Sequence, residues 1–194
     1  MIKGLAGLLL LATSMVSLSG CTALFLGGAA TTLGVIHDRR SAGTILDDRA
    51  IELTVYSRIA DEPQLARSAN ISVTSYNNVV LLSGQVTDPA QRQRAEAIAA
   101  NANQVRHVFN ELEVAPPANW SNTGTDALIS SMVKGSLFQI GGLPDFDPTR
   151  VKVVTDRGTV YLMGLVKPEE AEAVTATVRQ VNGVQRVVKL FEYI

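Results

Sequence analysis

Cys21 is the only cysteine among the 194 residues, and the residues around it are those best placed to do chemistry. It ends the string Leu18-Ser19-Gly20-Cys21, behind an apolar run from Leu5 to Leu18 that is densest at Leu8 to Leu11. Lys3 puts a positive charge ahead of the run, and two small residues precede the thiol. Charge, apolar stretch and small residues, in that order, make an export signal. The run is shorter than the ~20 apolar residues a bilayer-spanning helix needs. A lone thiol cannot close an intrachain disulfide; behind such a run it is either incidental to an ordinary secretory signal or a site for modification of its sulfur. An exported chain without disulfides must be held together by packing.

The rest of the chain offers no catalytic constellation. His37 and His107 are the only histidines, and they stand far apart. A nucleophile elbow and a His-Glu-x-x-His pair are both missing. Asp145 and Asp147 share a loop but lack the further ligands of a calcium loop. The stretch from Gln139 to Thr149 holds Gly141-Gly142 and Pro144, without the Lys and Ser or Thr of a phosphate loop. No enzyme activity, metal or cofactor is therefore expected. A net charge of −1 with no basic run argues against nucleic acid as a partner.

The Cys21 string resembles the lipobox of bacterial lipoproteins. That resemblance implies lipidation of the thiol, cleavage before Cys21 and acylation of the new amino terminus. Residues 1–20 are then a signal peptide and 21–46 a lipidated tether rich in Ala, Gly and Thr. Acyl chains contribute about 0.8 kcal/mol per buried methylene, and stable anchoring takes at least two such signals. In resembling lipoproteins an Asp after the cysteine usually directs retention in the inner membrane. Thr22 stands there, which implies the outer membrane, on its periplasmic face. Leu24-Phe25-Leu26 sit beside the anchor. His37, Asp38, Arg39 and Arg40 form a small charged cluster on the tether, in which His37 and Asp38 read as solvated.

Those attachments need a fold to carry, and the remaining sequence supplies one twice. Ile71-Ser72-Val73-Thr74 and Val79 to Val86 recur, at an offset of 80, as Val151-Lys152-Val153-Val154 and Thr159 to Val166. Val105-Arg106-His107-Val108 recurs as Val184-Gln185-Arg186-Val187, each leading into a last strand, Phe109 to Val114 and Val188 to Ile194. Each unit reads helix, strand, strand, helix, strand. Ile51, Val55 and Ile59 mark one helical face. Asp47 or Asp48 is expected to cap that helix and Pro63 to end it. Tyr76-Asn77-Asn78 and Asp156-Arg157-Gly158 are turns between strands. Asp88-Pro89 and Lys167-Pro168 open the second helices, and Asn182-Gly183 closes the last one. The expected fold is α+β: two tandem αββαβ domains, at 47–114 and 126–194, each a three-stranded mixed sheet with two helices on one face. Units of about 70 residues have small cores, so partial mutual support is expected. Residues 115–125 read as a linker, with Trp120 either docked or exposed.

The pattern Val-x-Leu-x-Gly-x-Val, met at Val80 to Val86 and again at Val160 to Val166, resembles the BON domain family. Gly84 and Gly164 occupy that family's hallmark glycine position, where the fold rather than a ligand is expected to require them. The resemblance covers about residues 46–194. It implies that the second unit binds anionic phospholipid through its first helix and supports envelope integrity, with the division site as one place of action.

The residues themselves lend support. At an offset of 78, Ile51, Val55 and Ile59 pair with Ile129, Val133 and Leu137, while Ala50, Thr54, Ser57 and Ala60 become Leu128, Met132, Gly135 and Phe138. Lys134 adds a cation. Leu128, Met132, Lys134, Gly135 and Phe138 are thus the candidate phospholipid-binding residues. Residues 47–114 carry six bases and nine acids, residues 126–194 eight of each; the less acidic unit is the one expected to approach an anionic surface. Packing of the same apolar residues against the first domain is the competing reading. The competing function is a non-catalytic scaffold for outer-membrane assembly, division or cell-wall proteins.

Overall fold

The computed structural model describes residues 38–115 and 120–194. The expected signal peptide, Cys21, the expected tether through His37 and the side chain of Trp120 lie outside the described residues. No helix among the described residues is long and apolar enough to cross a membrane.

The first domain opens with helix α1 (Ala42–Ala60) and a short helix α2 (Pro63–Ala66), followed by the hairpin β1 (Asn70–Tyr76) and β2 (Val79–Val86). Helix α3 (Pro89–Ala100) then leads to β3 (His107–Asn110) and β4 (Glu113–Val114). The second domain repeats the plan with α4 (Trp120–Leu137), a 3-10 turn (Pro148–Arg150), β5 (Lys152–Asp156), β6 (Thr159–Val166), α5 (Pro168–Val178) and β7 (Arg186–Tyr193). In each sheet the middle strand pairs antiparallel with the strand before it and parallel with the one after. A helix lies between the parallel pair, as such a crossover requires.

Several local expectations change. Helix α1 starts five residues before Asp47. Its cap is Ser41, whose Oγ accepts the Thr44 amide at 3.0 Å. Asp48 is not a cap: it is buried and binds the β1–β2 turn. Helix α4 starts at Trp120, so the last six residues read as linker are helical. The last strand of the first domain is interrupted opposite Gly84, whereas β7 is continuous. Gly84 has φ +117°, and a Cβ there would stand 2.0 Å from the Asn70 carbonyl oxygen. At Gly164 a Cβ would lie 2.9 Å from the Arg150 carbonyl oxygen. In both copies a strand glycine lets the edge backbone approach closely.

Each domain has its own core. Ile51, Val55 and Ile59 of α1 meet Val80, Leu82 and Val86 of β2 and Ala95 of α3. Ile129, Val133 and Leu137 of α4 meet Val160, Leu162 and Val166 of β6 and Val174 of α5. The opposite faces of the two sheets make a third core. Tyr76, Val79 and Leu81 pack there with Tyr161, Met163 and Leu190. All eight residues of β2 are buried, one set under helices and the alternate set under the other sheet. That explains its unbroken apolar sequence, since a strand covered on both faces does not alternate. The mutual support expected of two small domains is thus a shared sheet-to-sheet core. Polar contacts rim it. Gln85 Nε2 donates to Asp156 at 2.8 Å, Arg106 pairs with Glu192 at 2.7 Å, and Lys152 reaches Glu52 at 2.8 Å.

Candidate functional site

Helix α4 buries Ile129, Val133 and Leu137, which recur every four residues, so its remaining circumference faces outward. Leu128 and Phe138 are each 67% exposed and Met132 is 45% exposed. Lys134 and Gly135 are exposed as well. None of the candidate phospholipid residues is buried against the first domain, so the competing packing reading is overturned. Three large apolar side chains are held in solvent beside a cation on one rigid helix.

The residues divide into two sets. Lys134 and Phe138 turn toward α1 and line a groove of about 540 Å³ with Arg40, Ile45 and Arg49. Leu128 and Met132 are not among its lining residues and lie further round α4. Gly135 sits on the exposed surface between the two sets, and no other heavy atom approaches its Cβ position within 4 Å. The loop before β5 contributes Pro148 and Thr149 to the groove.

The groove floor is built from paired charges. Asp48, 3% exposed, accepts from the amides of Asn77 and Asn78, both at 2.8 Å, and from Ser75 Oγ at 2.6 Å. Arg40 donates to Asp48 at 2.8 Å, to Asp38 at 2.6 Å, and stacks 3.8 Å above the Tyr76 ring. Glu52 accepts from the Ser75 amide at 3.0 Å and from Lys152. Burial works to raise the Glu52 pKa, but these donors and Arg49 hold it below the usual glutamate value. The same device recurs in the second domain, where Asp126 accepts the amides of Arg157 and Gly158 at 2.8 and 2.9 Å. An aspartate in the first helix of each unit thus ties down the turn of the following hairpin. The offset of 78 that aligns the two helices also aligns Asp48 with Asp126, so this role was readable from the repeat.

The charged cluster at 38–40 is not solvated. Arg39 donates to both oxygens of Glu170, at 2.6 and 2.7 Å, and to the Leu165 carbonyl at 2.8 Å. Glu170 also accepts the Lys167 amide at 2.7 Å, which closes the first turn of α5. The Arg39 guanidinium, against some opposition from burial, holds the Glu170 carboxyl below its ordinary pKa. The described part of the tether is therefore bonded to both domains, to Asp48 through Arg40 and to Glu170 through Arg39. No signal in the sequence marks either partner.

A second exposed apolar set was missed. Leu46 and Leu53 on α1 are 70% and 71% exposed, and Tyr56 is 60% exposed. The comparison of helices singled out the positions at which α4 gains apolar residues and so overlooked those that α1 carries on a neighbouring stripe.

Comparison with known proteins supports the repeat. The BON domain model matches residues 47–116 and again 125–194. The chain is similar to the outer membrane lipoprotein DolP of Haemophilus influenzae, 32% identical over 187 residues, covering 96% of this chain and 95% of that one. It is 33% identical over 157 residues to a 21 kDa hemolysin of Actinobacillus pleuropneumoniae, covering 81% of this chain and 79% of the relative. The osmotically-inducible protein Y of Escherichia coli is 32% identical over 149 residues, with 75% and 72% of the two chains covered. With two matched units, a shared glycine position and a relative aligned from end to end, this chain belongs to the BON domain family, as a dual-domain member.

Proposed function

We propose that this protein is a lipid-anchored outer-membrane lipoprotein, facing the periplasm, that binds anionic phospholipid through its second BON domain and supports outer-membrane integrity, including at the division site. The observation that carries the reading is the exposure of Leu128, Met132 and Phe138 beside Lys134 on α4. Apolar side chains on a helix surface gain by entering the acyl region, and a nearby cation gains by meeting lipid phosphate. The similarity to an outer membrane lipoprotein along nearly the whole chain supports the anchor and the compartment. Cys21 is the proposed lipidation site. The proposed role is non-catalytic.

Two contacts with the membrane would then act in series. The acyl chains on Cys21 give attachment, and α4 gives a preference for lipid composition. The chain from Cys21 to Asp38 can reach at most about 60 Å, enough to let the domains settle beside their own anchor.

The test uses the full mature chain with Cys21→Ser, which removes the anchor, and vesicles containing phosphatidylglycerol or phosphatidylcholine alone. The soluble protein is expected to float with the former and not the latter. Leu128→Asp with Met132→Asp is expected to abolish flotation while circular dichroism stays unchanged. Normal binding by that folded double variant would remove the α4 assignment. Failure of the soluble parent to bind, together with one dominant protein crosslinked through α4, would instead favour the scaffold.

A further inference from the structure

The groove between α1 and α4 brings elements of both domains to one surface, and its charges do not balance. Its lining includes four basic side chains, Arg40, Arg49, Lys134 and Lys152, and two acidic ones, Asp48 and Glu52. The whole chain, by contrast, carries a net charge of −1. Arg40 and Lys152 are engaged with the two acids on the groove floor. Lys134 is exposed and enters no ion pair among the described residues.

Arg49 is 77% exposed and, among the described residues, its one ion pair is with Oε2 of Glu52, at 2.8 Å. The other oxygen of Glu52 is held by Lys152 and the Ser75 amide, so Arg49 can leave without stranding a half-buried carboxylate. Because the guanidinium is itself largely in solvent, exchanging this contact for another anion costs little. Two cations, one on each helix, therefore stand ready at the rim for an external anion.

The surroundings of these cations are apolar. Phe138 and Ile45 line the groove, and Leu53 and Tyr56 line an adjoining hollow that shares Arg49 and Glu52 with it. Water-soluble anions have no use for such a border. A phosphate attached to acyl chains does, because its charge sits at the depth of the cations while its chains run beside the apolar side chains.

We propose that this groove is a site for one anionic glycerophospholipid of the bilayer, its phosphate between Arg49 and Lys134, with Leu53 and Tyr56 of α1 entering the membrane alongside α4. The inference rests on the phospholipid reading of α4 and extends it: the contact belongs to both domains. The described chain begins at Asp38, in contact with Arg40 of the groove.

The experiment compares three variants of the soluble Cys21→Ser chain on phosphatidylglycerol vesicles: Leu53→Ser with Tyr56→Ser, Arg49→Glu alone, and Leu128→Asp with Met132→Asp. All three alter exposed residues, and an unchanged thermal midpoint checks each fold. The α1 double variant and Arg49→Glu are each expected to weaken vesicle partition about fivefold or more. In addition, vesicles doped with nitroxide-headgroup lipid should broaden the amide signals of Arg49 and Leu53 as well as those around Phe138. Parental binding by both α1 variants, with loss only in the α4 variant, overturns the groove and leaves the α4 reading standing. Parental binding by all three overturns both. Loss of vesicle binding in millimolar inorganic phosphate at constant ionic strength would also overturn it, as a free-anion site.

Discussion

Arg39 and Glu170 stand 131 residues apart in sequence and meet through two parallel hydrogen bonds of 2.6 and 2.7 Å. The carboxylate is 1% exposed, and the guanidinium lies in a shallow, partly covered position. Removing one partner of such a pair leaves a desolvated charge. Arg39→Ala is expected to cost about 2–4 kcal/mol, seen as a lower urea midpoint. The pH dependence has a definite sign. Glu170 is held below the ordinary glutamate value of 4.5, so its contribution is complete above that value and is lost as pH falls through the lowered one. Acid unfolding of Arg39→Ala should accordingly be less steep than that of the parent, because the pair it would lose is already gone.

The paired aspartates allow a comparison within one molecule. Asp48 binds two turn amides, a hydroxyl and Arg40, whereas Asp126, among the described residues, binds two turn amides. Asp48→Asn should destabilise by about 2–3 kcal/mol and Asp126→Asn by about 1 kcal/mol. Hydrogen exchange at Asn77, Asn78, Arg157 and Gly158 would show the loss at each turn. Equal effects would mean that Arg40 and the Ser75 hydroxyl add nothing.

Alanine at the two strand glycines should also behave unequally. At position 84 the added carbon meets a carbonyl oxygen at 2.0 Å, and the backbone is in a region that disfavours side chains. We expect Gly84→Ala to lose about 2–4 kcal/mol. Gly164→Ala, with its nearest atom at 2.9 Å and no positive φ, should lose about 1–2 kcal/mol. Thermal melts of the two variants provide the check.

The sheet-to-sheet core should make the two domains unfold together. Leu81→Ala and Met163→Ala each remove a fully buried side chain from it and are expected to cost about 2–4 kcal/mol. Calorimetry should show one transition in the parent and two in the double variant. Tyr161, in the same core, has its pKa pushed by burial to about 12. Between pH 10 and 12 the unfolded chain loses that proton while the folded one keeps it, so stability should fall over that window. The Tyr161 share of the phenolate absorbance at 295 nm, taken as the difference between the parent and Tyr161→Phe, should follow unfolding rather than precede it.

Much of this fold is written locally. The hairpins, the helix faces of Ile51, Val55 and Ile59, and the glycine at 84 and 164 depend on periodicity and turn chemistry within one unit, and the repeat shows each twice. What the sheets do with their second faces is a matter between units. The signal was present in the unbroken run Val79 to Leu82, but an apolar run does not say what covers it. Arg39 and Arg40 were opaque for another reason: a cation in a polar stretch looks the same whether it faces water or a carboxylate in the other domain. The candidate lipid residues were legible because the two helices could be compared position by position. Leu46, Leu53 and Tyr56 escaped because that comparison favours gains in one copy over features of its partner.

The grip of Arg39 on Glu170 also has a mechanical meaning. A pull exerted at Asp38 does not reach α1 alone. It loads α5 at the same moment, through bonds to the far domain. Unravelling from the amino-terminal end must first break two parallel charged bonds together, and a load shared in this way fails abruptly rather than residue by residue. For any load applied ahead of Asp38, that makes the junction a threshold device: inert under small tension, released above it.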